Sequence, residues 1–171
     1  MQPTKIKEFV PQDRVEDKDR LLPAFLKIWN APENLNYLSV TLVPFSQELV
    51  RTWLEHHKDK GGRYFCALDN RDEITGILVF KMSPLDGCEI YGVGVDPKCK
   101  GKGIGRQRVE HAVCTAASHG CRALDALVFA DNAKMLRLLI AQGFVPVDMV
   151  HYKRADGADA VMLKKYFKDT G

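Results

Sequence analysis

The stretch Val95-Asp-Pro-Lys-Cys-Lys-Gly-Lys-Gly-Ile-Gly-Arg-Gln-Arg108 concentrates the residues of this chain best suited to hold an anion. Gly101, Gly103 and Gly105 stand at alternate positions, where they free the backbone to turn its N–H groups toward one point. The segment runs from the end of an apolar, strand-like run into the start of a helix, whose unpaired amides and partial positive charge add to the same site. Lys98, Lys100, Lys102, Arg106 and Arg108 supply cations, with no acid among them. This arrangement points to a ligand that carries phosphate.

Spacing excludes two familiar phosphate loops. A dinucleotide fingerprint needs G-x-G-x-x-G, but Arg106 stands three residues after Gly103 and Arg108 three after Gly105. A Walker A loop needs G-x-x-x-x-G-K-S/T, which neither Gly92 nor Gly94 begins. Metal chemistry finds no support either. His56 and His57 are neighbours that would point about 100° apart on a helix, and His111 with Cys114 makes half a site. Cys66, Cys88, Cys99, Cys114 and Cys121 are odd in number and lack a C-x-x-C pair, so they read as reduced thiols.

The elements that must position the loop follow from periodicity. Ile6 to Val10 is a short strand, and Leu21, Leu22, Phe25, Leu26 and Trp29 lie at helical spacing, with Pro32 stopping that helix. Ser46 caps a second helix carrying Leu49, Val50, Trp53 and Leu54 on one face. Arg63 to Leu68, Ile74 to Met82 and Glu89 to Val95 form an antiparallel meander, with turns at Asp69-Asn70 and Pro84 to Gly87. Alternation along the last of these puts Glu89, Tyr91, Val93 and Val95 on one face. After the loop comes a helix through Val109, Ala112, Val113 and Ala116, then a strand from Leu124 to Phe129. A helix from Asn132 to Gln142 follows, closed by Gly143, and then strands Phe144 to Tyr152 and Ala158 to Phe167. The fold class is α+β, or mixed α/β.

Composition sets the outer bounds. At 171 residues, 46% hydrophobic and 27% charged, the chain is long enough to bury one core without staples, and no linker divides residues 1–171 into more than a single domain. A net charge of +3 is too small to imply nucleic-acid binding, and no aromatic residue interleaves the Lys98–Arg108 cations to stack on bases. No run approaches the ~18 apolar residues of a membrane helix, and Met1 to Val10 lacks a signal-peptide core, so the expected location is cytoplasmic, without membrane contact.

Val95 to Gly105, V-x-P-x-x-K-G-K-G-I-G, closely resembles the acetyl-CoA signature of the GNAT acyltransferase superfamily, Gln/Arg-x-x-Gly-x-Gly/Ala, with Lys100 in the Gln/Arg place. The likeness continues upstream in Glu89-Ile-Tyr-Gly-Val-Gly-Val95 and downstream where Asn132 opens a helix ending in Gln142-Gly143-Phe144. It spans the chain from Ile74 onward; before that, only the element order matches. The resemblance implies a mostly antiparallel sheet of about seven strands, split after the fourth, with helices on both faces. It implies acetyl-CoA as co-substrate, no metal, and transfer of acetyl to a primary amine by direct attack in a ternary complex. Backbone groups of Val93, Gly94 and Val95 would pair with the pantetheine arm. Lys100, Gly101, Lys102, Gly103, Ile104, Gly105 and Arg106 would hold the pyrophosphate, and Asn132 would reach the coenzyme from the next helix.

For catalysis, the resemblance places a proton-accepting Glu at Glu89. Its usual tyrosine donor, seven residues after Asn132, is Leu139 here, which leaves Tyr152 and Tyr91 as candidate hydroxyls or the thiolate departing unaided. The run His151-Tyr152-Lys-Arg-Ala-Asp-Gly-Ala-Asp-Ala-Val-Met162 is weakly similar to the hairpin of ribosomal-protein N-terminal acetyltransferases; Asp156-Gly157 is also explained as a simple turn. The alternative to an enzyme is an acyl-CoA-binding regulatory module, with Leu139 marking lost chemistry. Edge strands such as Ala158 to Phe167 are expected pairing surfaces for a homodimer.

Overall fold

The computed structural model describes residues 5–83 and 87–167, so most of the turn expected at Pro84 to Gly87 lies outside the described residues. In chain order the elements are β1 (Lys5–Phe9), α1 (Val15–Trp29), α2 (Pro32–Leu38), α3 (Gln47–His56), β2 (Gly62–Leu68), β3 (Ile74–Ser83) and β4 (Gly87–Val95). There follow α4 (Ile104–Ser118), β5 (Ala123–Phe129), α5 (Ala133–Ala141), β6 (Val145–Val150) and β7 (Ala160–Tyr166). One seven-stranded sheet runs β1-β2-β3-β4-β5-β7-β6. Its pairs are antiparallel except β4 with β5, which is parallel.

Helices cover both faces because strands β2 and β3 are apolar on both. Tyr64, Cys66, Ile77 and Val79 face α1 and α3 through Phe25, Trp29, Val50 and Leu54. Phe65, Leu78 and Phe80 face the other way, onto Val109, Ala112 and Ala116 of α4. Gly92 and Gly94 are glycine because Trp29 lies directly against the strand. A Cβ on Gly92 would come 2.6 Å from the indole, and one on Gly94 2.9 Å.

Several expectations change. Pro32 does not merely end a helix: it occupies the first turn of α2, where its missing N–H has no helical partner to lose and its fixed φ suits the start. Three helices therefore precede β2. The final strand is not an edge, since β7 lies between β5 and β6, and the edges are β1 and β6. Cys88 and Cys121 form a disulfide across 33 residues, leaving Cys66, Cys99 and Cys114 as free thiols. Parity and C-x-x-C spacing register local pairs; this pair is made by tertiary neighbours, the start of β4 and the turn into β5.

The face assignment in β4 is also altered. Val79 pairs with Gly92 and Phe80 with Ile90, so Tyr91 is an extra residue opposite β3, a β-bulge. Glu89 lies opposite Lys81 and Gly92 opposite Val79, and the Tyr91 ring meets Trp53 and His57 of the α3 side. Val93 instead packs with the α4 core. The bulge thus keeps Glu89 and Tyr91 together but sends Val93 and Val95 to the opposite face.

Arg108, expected among the cations of the loop, is fully buried on the inner side of α4, and its three guanidinium nitrogens have no hydrogen-bond partner. Burial lowers its pKa to about 10. An unpaired buried charge opposes folding. Arg108→Leu should therefore raise stability by about 1–4 kcal/mol, the range seen when buried ionic groups yield to apolar ones. Denaturant unfolding checks this; a lower midpoint in the variant would contradict it.

Candidate active site

Pairing between β4 and β5 stops at Ile90 and Ala126. Beyond that point the strands part, and the wedge between them opens into a cleft of about 1390 Å³ lined from β4, β5, α2, α3, α5 and the glycine loop. Two side chains hold its walls. Asn34 of α2, buried, donates to the Ile28 carbonyl at 2.7 Å and the Val95 carbonyl at 2.9 Å, tying α1 and α2 to the end of β4. Arg154 gathers three chain segments: it donates to the Asn36 carbonyl at 2.7 Å, to Asp131 at 2.6 Å and to Asp156 at 2.9 Å. Sequence reasoning missed both, since the farthest partner of each lies 61 and 118 residues away.

At one end of the cleft lies the glycine loop. Gly101 and Gly103 have φ of +80° and +77°, and Gly103 caps α4 in the left-handed conformation. A Cβ on either would project into open space, so it is the positive φ rather than packing that calls for glycine here. Lys100, Gly101, Gly103, Ile104 and Gly105 line the cleft, as do Val93, Val95 and Asn132. Burial, with Lys134 nearby and Glu33 opposing, lowers the pKa of Lys100. Asn132 caps α5 by accepting from the Met135 N–H at 3.2 Å, so its amide NH₂ is the group left to face a ligand.

Other expected contributors are turned elsewhere. Arg106 pairs with Glu110 at 2.8 Å on the outer face of α4, and neither it nor Lys102 lines the cleft. Gly94 faces Ile28 and Trp29. The cradle is therefore backbone amide, helix N-terminus and Lys100. A diphosphate with an extended arm fits this set: anionic groups at the loop, and a strand edge on Tyr91 to Val95 for the arm.

Toward the other end stands Glu89, half-buried. Burial raises its pKa; the nearby Lys81 opposes this and Asp125, opposite it on β5, adds to it. Asp125 is itself paired with Lys164 at 2.8 Å. Tyr91 lines the same cleft, and burial followed by the charge of Glu89 raises its pKa, so its hydroxyl keeps its proton at neutral pH. Leu139 also lines the cleft but is 1% exposed, packed in the α4–α5 core. Tyr152 is not in a strand: it sits in the turn after β6 at φ 52°, is 84% exposed and does not line the cleft. The turn is fixed by Asp159, which accepts from the Tyr152 N–H at 2.9 Å.

The sequence matches the acetyltransferase (GNAT) family over residues 22–144, more than half of its length, and the chain belongs to that family. It is similar to a mycothiol acetyltransferase of Jonesia denitrificans, with 36% identity over 76 residues, 44% of this chain. That match spans 24% of the relative's own length. In fold it resembles the ribosomal-protein-S18-alanine N-acetyltransferase of Escherichia coli, with a TM-score of 0.75, 20% identity, and 99% and 97% of the two chains covered. It also resembles a GNAT superfamily phosphinothricin acetyltransferase of Sinorhizobium meliloti, in complex with AcCoA, with a TM-score of 0.76, 18% identity, and 97% and 89% covered. Among the described residues no helix is long and apolar enough to cross a membrane.

Gly103 gives a direct test of the loop. In Gly103→Val, a β-branched residue at φ +77° costs about 1–2 kcal/mol of backbone strain. The new side chain occupies the space before the helix amides, so a folded variant should lose acetyl-CoA affinity in a calorimetric titration. Wild-type affinity would make the loop a mere connector.

Proposed function

We propose that the chain is an acyl-CoA-dependent N-acetyltransferase that moves acetyl from acetyl-CoA to a primary amine by direct attack in a ternary complex, with residues 1–171 acting as one domain. The observation that carries this reading is that the glycine loop at the N-terminus of α4 and a half-buried carboxylate, Glu89, open into one cleft. When bound, acetyl-CoA supplies an acetyl group activated as a thioester. Lys100, the amides of Gly101 to Gly105 and Asn132 hold the coenzyme, and the backbone of Val93 to Val95 aligns its arm.

Glu89 accepts the proton that an ammonium must lose before its nitrogen can attack, and its raised pKa makes it a stronger base than an exposed glutamate. Tyr91, rather than Tyr152, is the hydroxyl on the side of Glu89 and returns a proton to the departing sulfur. The buried Leu139 favours a second reading, an acyl-CoA-binding module with little or no turnover. Mass gain of one acetyl group on an amine separates the two.

Glu89→Gln should lower kcat by ~10²–10⁴-fold with little change in acetyl-CoA affinity. The proton must leave Glu89 before it can act, so wild-type kcat should fall as pH drops through its pKa. Because burial raises that pKa, the acid limb should lie higher than an exposed glutamate would give, and it should vanish in the variant. An unchanged kcat, or the same limb in Glu89→Gln, would contradict this role.

A further inference from the structure

The lining of the cleft around Tyr91, two residues along β4 from Glu89, is aromatic and apolar. Tyr37, Leu38, Phe45, Leu49, Trp53 and Tyr91 form it. Trp53 meets Tyr91 edge-on with ring centroids 5.4 Å apart and Phe45 at 6.0 Å, and it is braced from behind by Phe25 and Trp29 at 6.1 and 6.2 Å. The rings are therefore fixed in place. Tyr91, Leu49 and Tyr37 remain 46%, 45% and 39% exposed, apolar surface that the fold leaves open to the cleft.

Charge is distributed as unevenly as polarity. Among the described residues that α2, α3, their connecting loop and β4 contribute to the lining, the charged side chains are Glu33 and Glu89. The lining cations, Lys100, Lys134, Arg137 and Lys153, belong to the glycine loop, α5 and the last hairpin. An alkylammonium is attracted both by a carboxylate and by aromatic rings. An acid group next to that ammonium would lie near Glu89, where the neighbouring Lys81 does not line the cleft and this wall supplies no cation, which costs affinity as the site is desolvated.

We infer that the acceptor is a primary amine carried on an aromatic or bulky apolar group, with no carboxylate or phosphate beside the amine: an arylalkylamine rather than an α-amino acid. This rests on the acetyl-transfer reading above. The ring packs on Leu49, Phe45 and Trp53, while the nitrogen is presented to Glu89. Specificity then comes from two sources, burial of the ring and exclusion of a neighbouring anion.

Three acceptors separate these terms. 2-Phenylethylamine and L-phenylalanine differ by one carboxylate, and 2-phenylethylamine and ethylamine by one phenyl ring. With acetyl-CoA saturating, kcat/KM for 2-phenylethylamine should exceed that for each of the others by at least ~10-fold. Leu49→Lys, which sets a cation in the exposed wall, should narrow the ratio against L-phenylalanine. Equal or faster acetylation of L-phenylalanine or ethylamine would overturn the acceptor class while leaving acetyl transfer standing. If no amine gained an acetyl group, the transfer reading would fail, and calorimetry on the CoA-loaded protein would still decide the acceptor class. Tighter binding of 2-phenylethylamine than of L-phenylalanine would support it, and equal binding would overturn it.

Discussion

The parting of β4 from β5 after Ile90 and Ala126 is the constraint from which the rest of the site follows. Backbone N–H and C=O groups require partners, and a strand that loses its neighbour midway presents a ladder edge to whatever enters the gap. Here that edge begins at the Tyr91 bulge, which adds one residue to β4 against β3 and increases the local twist. One backbone irregularity thus does two things. It accompanies the opening of the sheet, and it keeps Glu89 and Tyr91 on the α3 side while the segment beyond them turns Val93 to α4.

The gap is held open by contacts from well outside it. Trp29 rests on Gly92 and Gly94, so α1 sits closer to the parted strand than any side chain there would allow. Asn34 joins α1, α2 and Val95. Arg154 connects the last hairpin to Asp131, next to Asn132, and to the end of α2. Ion pairs at a surface contribute little, but the Arg154 guanidinium is buried and shared among three segments, which is where such pairs matter for geometry. The fold also tolerates a cost in Arg108, a buried charge without a partner.

What was legible in the sequence was what local chemistry determines. The glycines of the loop, the apolar periods of α1, α3 and α4 and the Ser46 and Asn132 caps each report on a few neighbouring residues, and each stands where its spacing placed it. What was not legible depends on pairing across the chain. A bulge is a mismatch between two strands, so alternation within β4 could not reveal that Val93 and Val95 leave the face of Glu89. The run of five cations likewise suggested Lys100, Lys102 and Arg106 as anion ligands. Helix phase turns Arg108 into the core and Arg106 toward Glu110, and of the five, Lys100 alone lines the cleft among the described residues. The Cys88–Cys121 disulfide and the exposed Tyr152 are further products of tertiary placement.

We propose that the coenzyme arm adds as a strand on the open edge of β4. Amide hydrogen exchange over Tyr91 to Val95, measured with and without CoA, tests it most directly. Protection of amides in that segment and of those at Gly103 to Gly105, with β2 unchanged, is the predicted result. Exchange along β4 that is the same with saturating CoA would contradict strand addition there.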